Sequence, residues 1–257
     1  MTSLPRLHFV CGRSFKAKSS YKKLTSLYGQ APLEEADIIV ALGGDGTMLH
    51  SLQKTMHNPK PIFGMNRGSI GFLMNKYSEE NLYERLQKAH IEEIHPLRMQ
   101  AIDKNNNKTE ALAINEVTLF RQSYQASKLR ITVDGKVRLK ELICDGVILA
   151  TPTGSTAYNL SAQGPILPIQ SSLIALTAVS PFRPRRWRGA LLLNTAIVEV
   201  EVLEAKKRPV NVTADDAEQK NIQAVTISCA LDIKAKILFE ETHSWHERIL
   251  CEQFKHS

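Results

Sequence analysis

The run Ile38-Ile39-Val40-Ala41-Leu42, stopped by Gly43-Gly44, constrains the fold more than any other feature of this chain. Five consecutive apolar residues have no polar face, so they read as a strand buried on both sides. After the glycines, Met48, Leu49, Leu52 and Met56 recur at helical spacing. A buried strand that turns directly into a helix is half of a βαβ unit. Leu7–Cys11 supplies a short apolar run before it, and Pro61 opens another at Ile62–Met65. Ser78 reads as a helix cap, with Glu79 and Glu80 in the first turn and Leu82, Leu86 and Ala89 on the inner stripe. The first third is therefore expected to be α/β with a parallel sheet.

The pattern changes at His95-Pro96. Leu97, Met99 and Ala101 alternate with polar residues, and Lys104 to Glu110 reads as a polar hairpin loop. Leu129, Ile131 and Val133 alternate up to Asp134-Gly135, and Val137 and Leu139 alternate beyond it, which predicts a two-residue hairpin. Val198, Val200 and Val202 alternate as well. Further β-like runs stand at Val210–Thr213, Val225–Cys229 and Ile233–Phe239. This part is expected to be β-rich and antiparallel. Ser244 and Glu247 have capping-box spacing before Ile249, Leu250 and Phe254, which predicts a C-terminal helix. The expected division is 1–95, 96–238 and 239–257.

Composition narrows the class. At 257 residues, 43% hydrophobic and 23% charged, the chain can bury an ordinary core, which excludes disorder as its main state. No apolar run approaches the roughly 20 residues of a membrane span. The N-terminal residues lack a signal-peptide pattern, so a cytoplasmic protein is expected, with no membrane partner. Four scattered cysteines without a C-x-x-C pair suggest inert thiols rather than a metal or disulfide framework. The net charge of +7 favours an anionic partner, either nucleic acid or a phosphorylated small molecule.

Three places have the residue types for chemistry. Gly43-Gly44-Asp45-Gly46-Thr47 lies between strand and helix, where backbone N–H groups and the helix N-terminus suit a phosphate. Asp45 would repel a phosphate set directly against it. It makes sense as a proton acceptor or beside a charge-screening metal; the alternative is a helix N-cap. Asp145-Gly146 leads through an apolar run to Thr151-Pro152-Thr153-Gly154-Ser155-Thr156-Ala157-Tyr158-Asn159-Leu160-Ser161. Hydroxyls, a glycine and one aromatic suit a ligand pocket, or else a loop satisfying its own backbone. Asn115-Glu116 interrupts the apolar stretch Leu112–Leu119. An amide and a carboxylate can hold the two hydroxyls of a ribose, although alternation would turn one of them to solvent.

Weaker signals are Lys16, Lys18, Lys22 and Lys23, which read most simply as a solvated face, and the Arg-rich stretch Phe182–Arg188. That stretch suits phosphates or single-stranded nucleic acid, the alternative being a subunit contact or an exposed loop. His243-x-x-His246 lacks an accompanying carboxylate motif for a metal. No zinc-finger or recognition-helix pattern supports a nucleic-acid partner.

Taken in order, GGDGT at Gly43–Thr47, Gly64-Met65-Asn66 to Gly71-Phe72-Leu73, Asn115-Glu116, and Asp145-Gly146 with TPTGSTAY at Thr151–Tyr158 resemble the NAD kinases. That family uses ATP to phosphorylate NAD to NADP. GGDGT alone also resembles lipid kinases and phosphofructokinases; the four elements together are far more specific. The resemblance implies an α/β, Rossmann-like N-terminal domain with a parallel sheet. It also implies a β-rich, sandwich-like C-terminal domain and a chain end returning to the first domain.

By the same resemblance, Asp45 is the proton acceptor for the adenosine ribose 2′-hydroxyl, and Gly44 and Gly46 let donor and acceptor approach. Asn115 and Glu116 bind the nicotinamide-side ribose, and Asp145 lies near the nicotinamide. Thr156, Ala157, Tyr158, Asn159 and Ser161 form the adenosine-contacting stretch, and Phe72 lies near the adenine. Mg²⁺ would accompany ATP, with no protein metal site, and the family's homodimers or homotetramers imply self-association. Polyphosphate as donor and NADH as acceptor stay open. One departure stands out: Asp215-Asp216 replaces the Asp-Gly of many members.

Overall fold

The computed structural model describes residues 4–68, 71–240, 249–250 and 254. The chain divides into two units, residues 1–94 with 233–257, and residues 95–232. The first opens with strand β1 (Leu7–Cys11) and helix α1 (Phe15–Tyr28). Ser14 caps α1 by accepting the Ala17 N–H at 3.1 Å, and Gly29, at φ 78°, ends it. The buried run becomes β2 (Ile38–Gly43), followed at once by α2 (Asp45–Thr55) and β3 (Pro61–Asn66). Then come α3 (Leu82–Lys88) and β4 (His90–Ile94). Leu82 and Leu86 are buried as the stripe predicts, but the cap is Asn81, three residues after Ser78. Ser78 instead closes a turn, its hydroxyl accepting the Glu80 N–H at 3.2 Å. Asn81 sits at φ 54°, which Asn tolerates and which sets the later start.

The second unit is a sandwich of two antiparallel six-stranded sheets. Its strands are β5 (Leu97–Asp103), β6 (Lys108–Ala113), β7 (Glu116–Arg121), β8 (Ser127–Val133), β9 (Lys136–Cys144) and β10 (Gly146–Ala150). A one-turn helix α4 (Tyr158–Ser161) separates these from β11 (Leu173–Val179), β12 (Gly189–Leu193) and β13 (Val198–Val202). The unit closes with β14 (Val210–Ala214), β15 (Ala217–Gln219) and β16 (Ile222–Cys229). One sheet runs β12-β11-β10-β7-β14-β15 and the other β6-β5-β16-β13-β8-β9. Both inner faces feed one core, with Leu119, Val147 and Leu176 from the first and Ile131, Val198 and Val225 from the second. Burial of such a side chain contributes about 1.5–3 kcal/mol. The Asp134-Gly135 hairpin forms as expected, with both turn residues at positive φ (51° and 71°).

The run Ile233–Phe239, grouped by sequence with the β-rich part, belongs instead to the first unit. There β17 (Ala235–Phe239) lies between β3 and β4 in a sheet of order β1-β2-β3-β17-β4. β17 pairs parallel to β3 and antiparallel to β4, so the sheet is parallel apart from its last strand. Ile237, Leu238 and Phe239 are all buried, which suits an inner strand covered on both faces rather than an alternating sandwich strand. Ile249 and Leu250 are helical, and Ile249 is buried. The Ser244–Glu247 capping box and His243-x-x-His246 lie outside the described residues.

Candidate active site

In the first unit the site grows from the β2–α2 turn. Gly44 caps α2 without a side chain, and Asp45 is the first helical residue. Asp45 is therefore not the N-cap. Its carboxylate reaches across to accept the backbone N–H groups of Phe72 and Leu73, both at 2.9 Å. Asn75 places that segment. It is fully buried and bridges to Met65, its N–H bonds the Gly64 carbonyl at 2.7 Å, and its amide donates to the Leu238 carbonyl at 2.8 Å. The acid is thus fixed by two chain segments at a helix N-terminus, where backbone dipoles favour negative charge. Phe72 is half-buried beside it. Gly46 is exposed on the first turn, and a Cβ built there would meet nothing within 4 Å. Among the described residues, packing therefore does not demand a glycine at 46.

In the second unit Asn115-Glu116 is clamped through its backbone. The Asp215 carboxylate accepts the N–H groups of Ile114 (2.7 Å), Asn115 (2.9 Å) and Glu116 (3.3 Å). From the other side, Thr151 N–H donates to the Asn115 carbonyl at 2.9 Å. The Thr151 and Thr153 hydroxyls both donate to the Ile114 carbonyl, at 2.6 and 3.0 Å. Gly154 packs so close that a Cβ would lie 2.0 Å from the Asn115 carbonyl oxygen. The backbone of the pair is thus held from both sides. Glu116 Oε2 is buried with no hydrogen-bond partner among the described residues. Burial first, and the nearby Asp215 charge second, push the Glu116 carboxyl up to about 7.

The Thr/Ser-rich segment divides into two sets. Thr151, Thr153, Ser155 and Asn159 are buried and bond within the fold. Asn159, expected on the adenosine side, is one of these: its amide donates to the Pro165 carbonyl (2.9 Å) and accepts the Thr177 hydroxyl (2.6 Å). Burial beside Thr177 turns it inward, so it braces the segment. Thr156 and Ala157 are half-buried, the Thr156 hydroxyl donating to the Thr153 carbonyl at 3.3 Å, and Tyr158 and Ser161 are exposed. Asp145 pairs with Arg121, Nε to Oδ1 at 2.5 Å, so its charge is partly balanced. Cys144 and Cys229 are pushed up to about 11 by burial, which keeps both thiols protonated at neutral pH. The structure thus groups Asp45, Gly44, Gly46 and Phe72 in one unit and the remaining site residues in the other. The clamping role of Asp215 and the Arg121 pairing escape a sequence reading, because each depends on a contact distant in sequence. Among the described residues no three or more His, Cys, Asp or Glu gather to hold a metal ion.

The GGDGT turn that opens α2 in the first unit and the clamped Asn-Glu pair in the two-sheet sandwich of the second are the places in this two-unit α/β and β fold where the candidate site residues stand. The family profile of the ATP-NAD kinase N-terminal domain matches residues 6–94, and that of the C-terminal domain matches residues 114–230. The chain belongs to the NAD kinase family. It is 59% identical to the NAD kinase of Brucella suis biovar 1 over 97% of each chain, and 57% identical to that of Rhizobium meliloti over 96% of each. Among solved structures it resembles an NAD kinase from Archaeoglobus fulgidus in complex with ATP. There the TM-score is 0.75 and identity 27%, covering 93% of this chain and 95% of that one. The fold also matches yeast NADH kinase complexed with NADH, with a TM-score of 0.82 and identity of 22%, covering 99% of this chain and 89% of that one.

Proposed function

We propose that this enzyme transfers the γ-phosphate of ATP to the 2′-hydroxyl of the adenosine ribose of NAD, giving NADP and ADP. Asp45 accepts the hydroxyl proton. The observation that carries this reading is the fixed carboxylate of Asp45 at the first turn of α2, held by the Phe72 and Leu73 amides. Phosphoryl transfer depends chiefly on positioning and charge stabilisation, so a proton acceptor that cannot wander is what the step needs. In the second unit Asn115 and Glu116 hold the ribose hydroxyls on the nicotinamide side. Thr156, Ala157, Tyr158 and Ser161 contact the adenosine, and Asp145 lies by the nicotinamide. Gly44, Gly46 and Phe72 serve the nucleotide beside Asp45.

A divalent cation fits as a companion of ATP rather than a resident. Asp45 is engaged by backbone amides, and Mg²⁺ prefers substrate phosphates plus few carboxylates. When bound, it screens the charge of the triphosphate. The reading includes a homo-oligomer: β12 is an edge strand without charge, with Leu191 and Leu193 exposed. Free thiols at Cys11, Cys144 and Cys229 accord with the cytoplasm. Among the described residues no helix is long and apolar enough to cross a membrane.

The test is NADP formation from NAD and MgATP, read by an NADP-specific dehydrogenase, with Asp45→Asn beside the wild type. A general base contributes about 10²–10⁴-fold. Turnover should fall by that factor while NAD affinity holds; a variant turning over like wild type would sink the assignment of Asp45.

A further inference from the structure

The Arg-rich stretch noted in the sequence lines a cavity of about 720 Å³ within the second unit. Its lining includes Tyr158, Ser161 and Gln163 together with Ser180, Arg186 and Arg188. Among the described residues no carboxylate lines it. Arg85, Arg98, Arg121, Arg130 and Arg208 are each paired with a carboxylate. Arg186 and Arg188 have no ion pair among the described residues. Two exposed, unneutralised guanidiniums facing one cavity raise the local potential for an anion.

The backbone points to the same place. Asn and Asp tolerate positive φ, and five of the nine described non-glycine residues there are of those types. The other four are Gln163 (63°), Ser180 (48°), Arg186 (68°) and Glu204 (57°), and the first three line this cavity. Residues held in that region are strained and cluster at ligand sites. The ligand chemistry can be read from the walls. An exposed phenol ring and hydroxyls suit a base and ribose, and guanidiniums suit phosphoryl oxygens, which they grip in bidentate fashion.

We propose that this cavity is a phosphoryl-binding subsite of the nucleotide site, in which Arg186 and Arg188 hold a phosphate of the nucleotide that lies on Tyr158 and Ser161. The assignment rests on the reading of Tyr158 and Ser161 as nucleotide contacts. The phosphoryl group can come from the NAD pyrophosphate, the 2′-phosphate of NADP or the ATP triphosphate.

Calorimetric titration of wild type, Arg186→Gln, Arg188→Gln and the double variant with NAD, NADP and MgATP separates these sources. Charge-assisted hydrogen bonds of this kind give about 10–100-fold in affinity. The double variant should lose that much for at least one nucleotide. A loss with NADP alone identifies the 2′-phosphate, an equal loss with NAD and NADP the pyrophosphate, and a loss with MgATP alone the triphosphate. Arg186→Lys with Arg188→Lys should recover part of the affinity and guards against a folding defect in the Gln variants. Unchanged affinity for all three nucleotides overturns the proposal. So does a smaller assembly by light scattering with affinities intact, which would make the arginines a subunit contact. A wild type that binds nucleotides without forming NADP would defeat the catalytic reading and leave this one standing.

Discussion

Glu116→Gln should stabilise the unliganded protein at alkaline pH and hardly at all near pH 5. The Glu116 carboxyl is raised from 4.5 to about 7 by burial, with the Asp215 charge adding to it, and Oε2 has no partner among the described residues. In the unfolded chain the same group titrates near its ordinary value. Between the two values the folded state binds more protons than the unfolded state, so stability falls as pH rises through that window. Below about 4.5 both states are protonated and the burden vanishes. Above about 7 it is fully present, at about 3 kcal/mol. Gln keeps the shape, cannot ionise, and removes the burden. Urea unfolding of both proteins at pH 5 and pH 8.5 measures it. The variant should gain roughly 2–3 kcal/mol at pH 8.5 and under about 1 kcal/mol at pH 5. The same gain at both pH values, or a loss at pH 8.5, would refute the argument. The retained burden fits a group kept for binding, since sites of this kind trade stability for function.

Three further outcomes follow from the same geometry. Asp215→Ala leaves the Ile114, Asn115 and Glu116 amides without their acceptor and should destabilise the second unit by about 2–5 kcal/mol in urea unfolding; it should also raise KM for NAD more than it lowers kcat. Gly154→Ala drives a methyl group into the Asn115 carbonyl and should lower stability by at least about 1–3 kcal/mol, measurable as a drop in Tm. Gly46→Ala meets no atom and gains helix propensity, so it should raise stability by roughly 0.5–1 kcal/mol while weakening nucleotide binding in calorimetry.

The parts of the fold visible in the sequence are those set by local periodicity. The turn from β2 into α2, the Asp134-Gly135 hairpin and the Val198–Val202 alternation each carry their signal within a few residues. The motifs that carry the proposed site residues are visible in the sequence too. Hidden were matters decided at long range. Ile233–Phe239 reads as a strand, but nothing in its own residues says that it will lie beside β3. Asp215 reads as a departure from a pattern, and its role exists only because β14 pairs with β7 and brings it to the Ile114–Glu116 amides. Asn159 and Tyr158 are neighbours with similar polarity, and only packing against Thr177 decides that one turns in while the other stays exposed.

The return of β17 to the first sheet has a consequence for biosynthesis. Among the described residues β4 pairs only with β17, and β3 has β2 on its other side, so the gap between β3 and β4 stays open until residues 235–239 leave the ribosome. The intervening unit, residues 95–232, must be translated first. At about 5–20 residues per second that takes on the order of ten seconds. During this interval the nascent N-terminal unit presents an unpaired edge of β3, whose Ile62 and Phe63 will later be fully buried. Such an edge invites association with other nascent chains. The β-rich unit has all its strands once residue 229 has emerged, so it is free to fold before the sheet encoded ahead of it is complete.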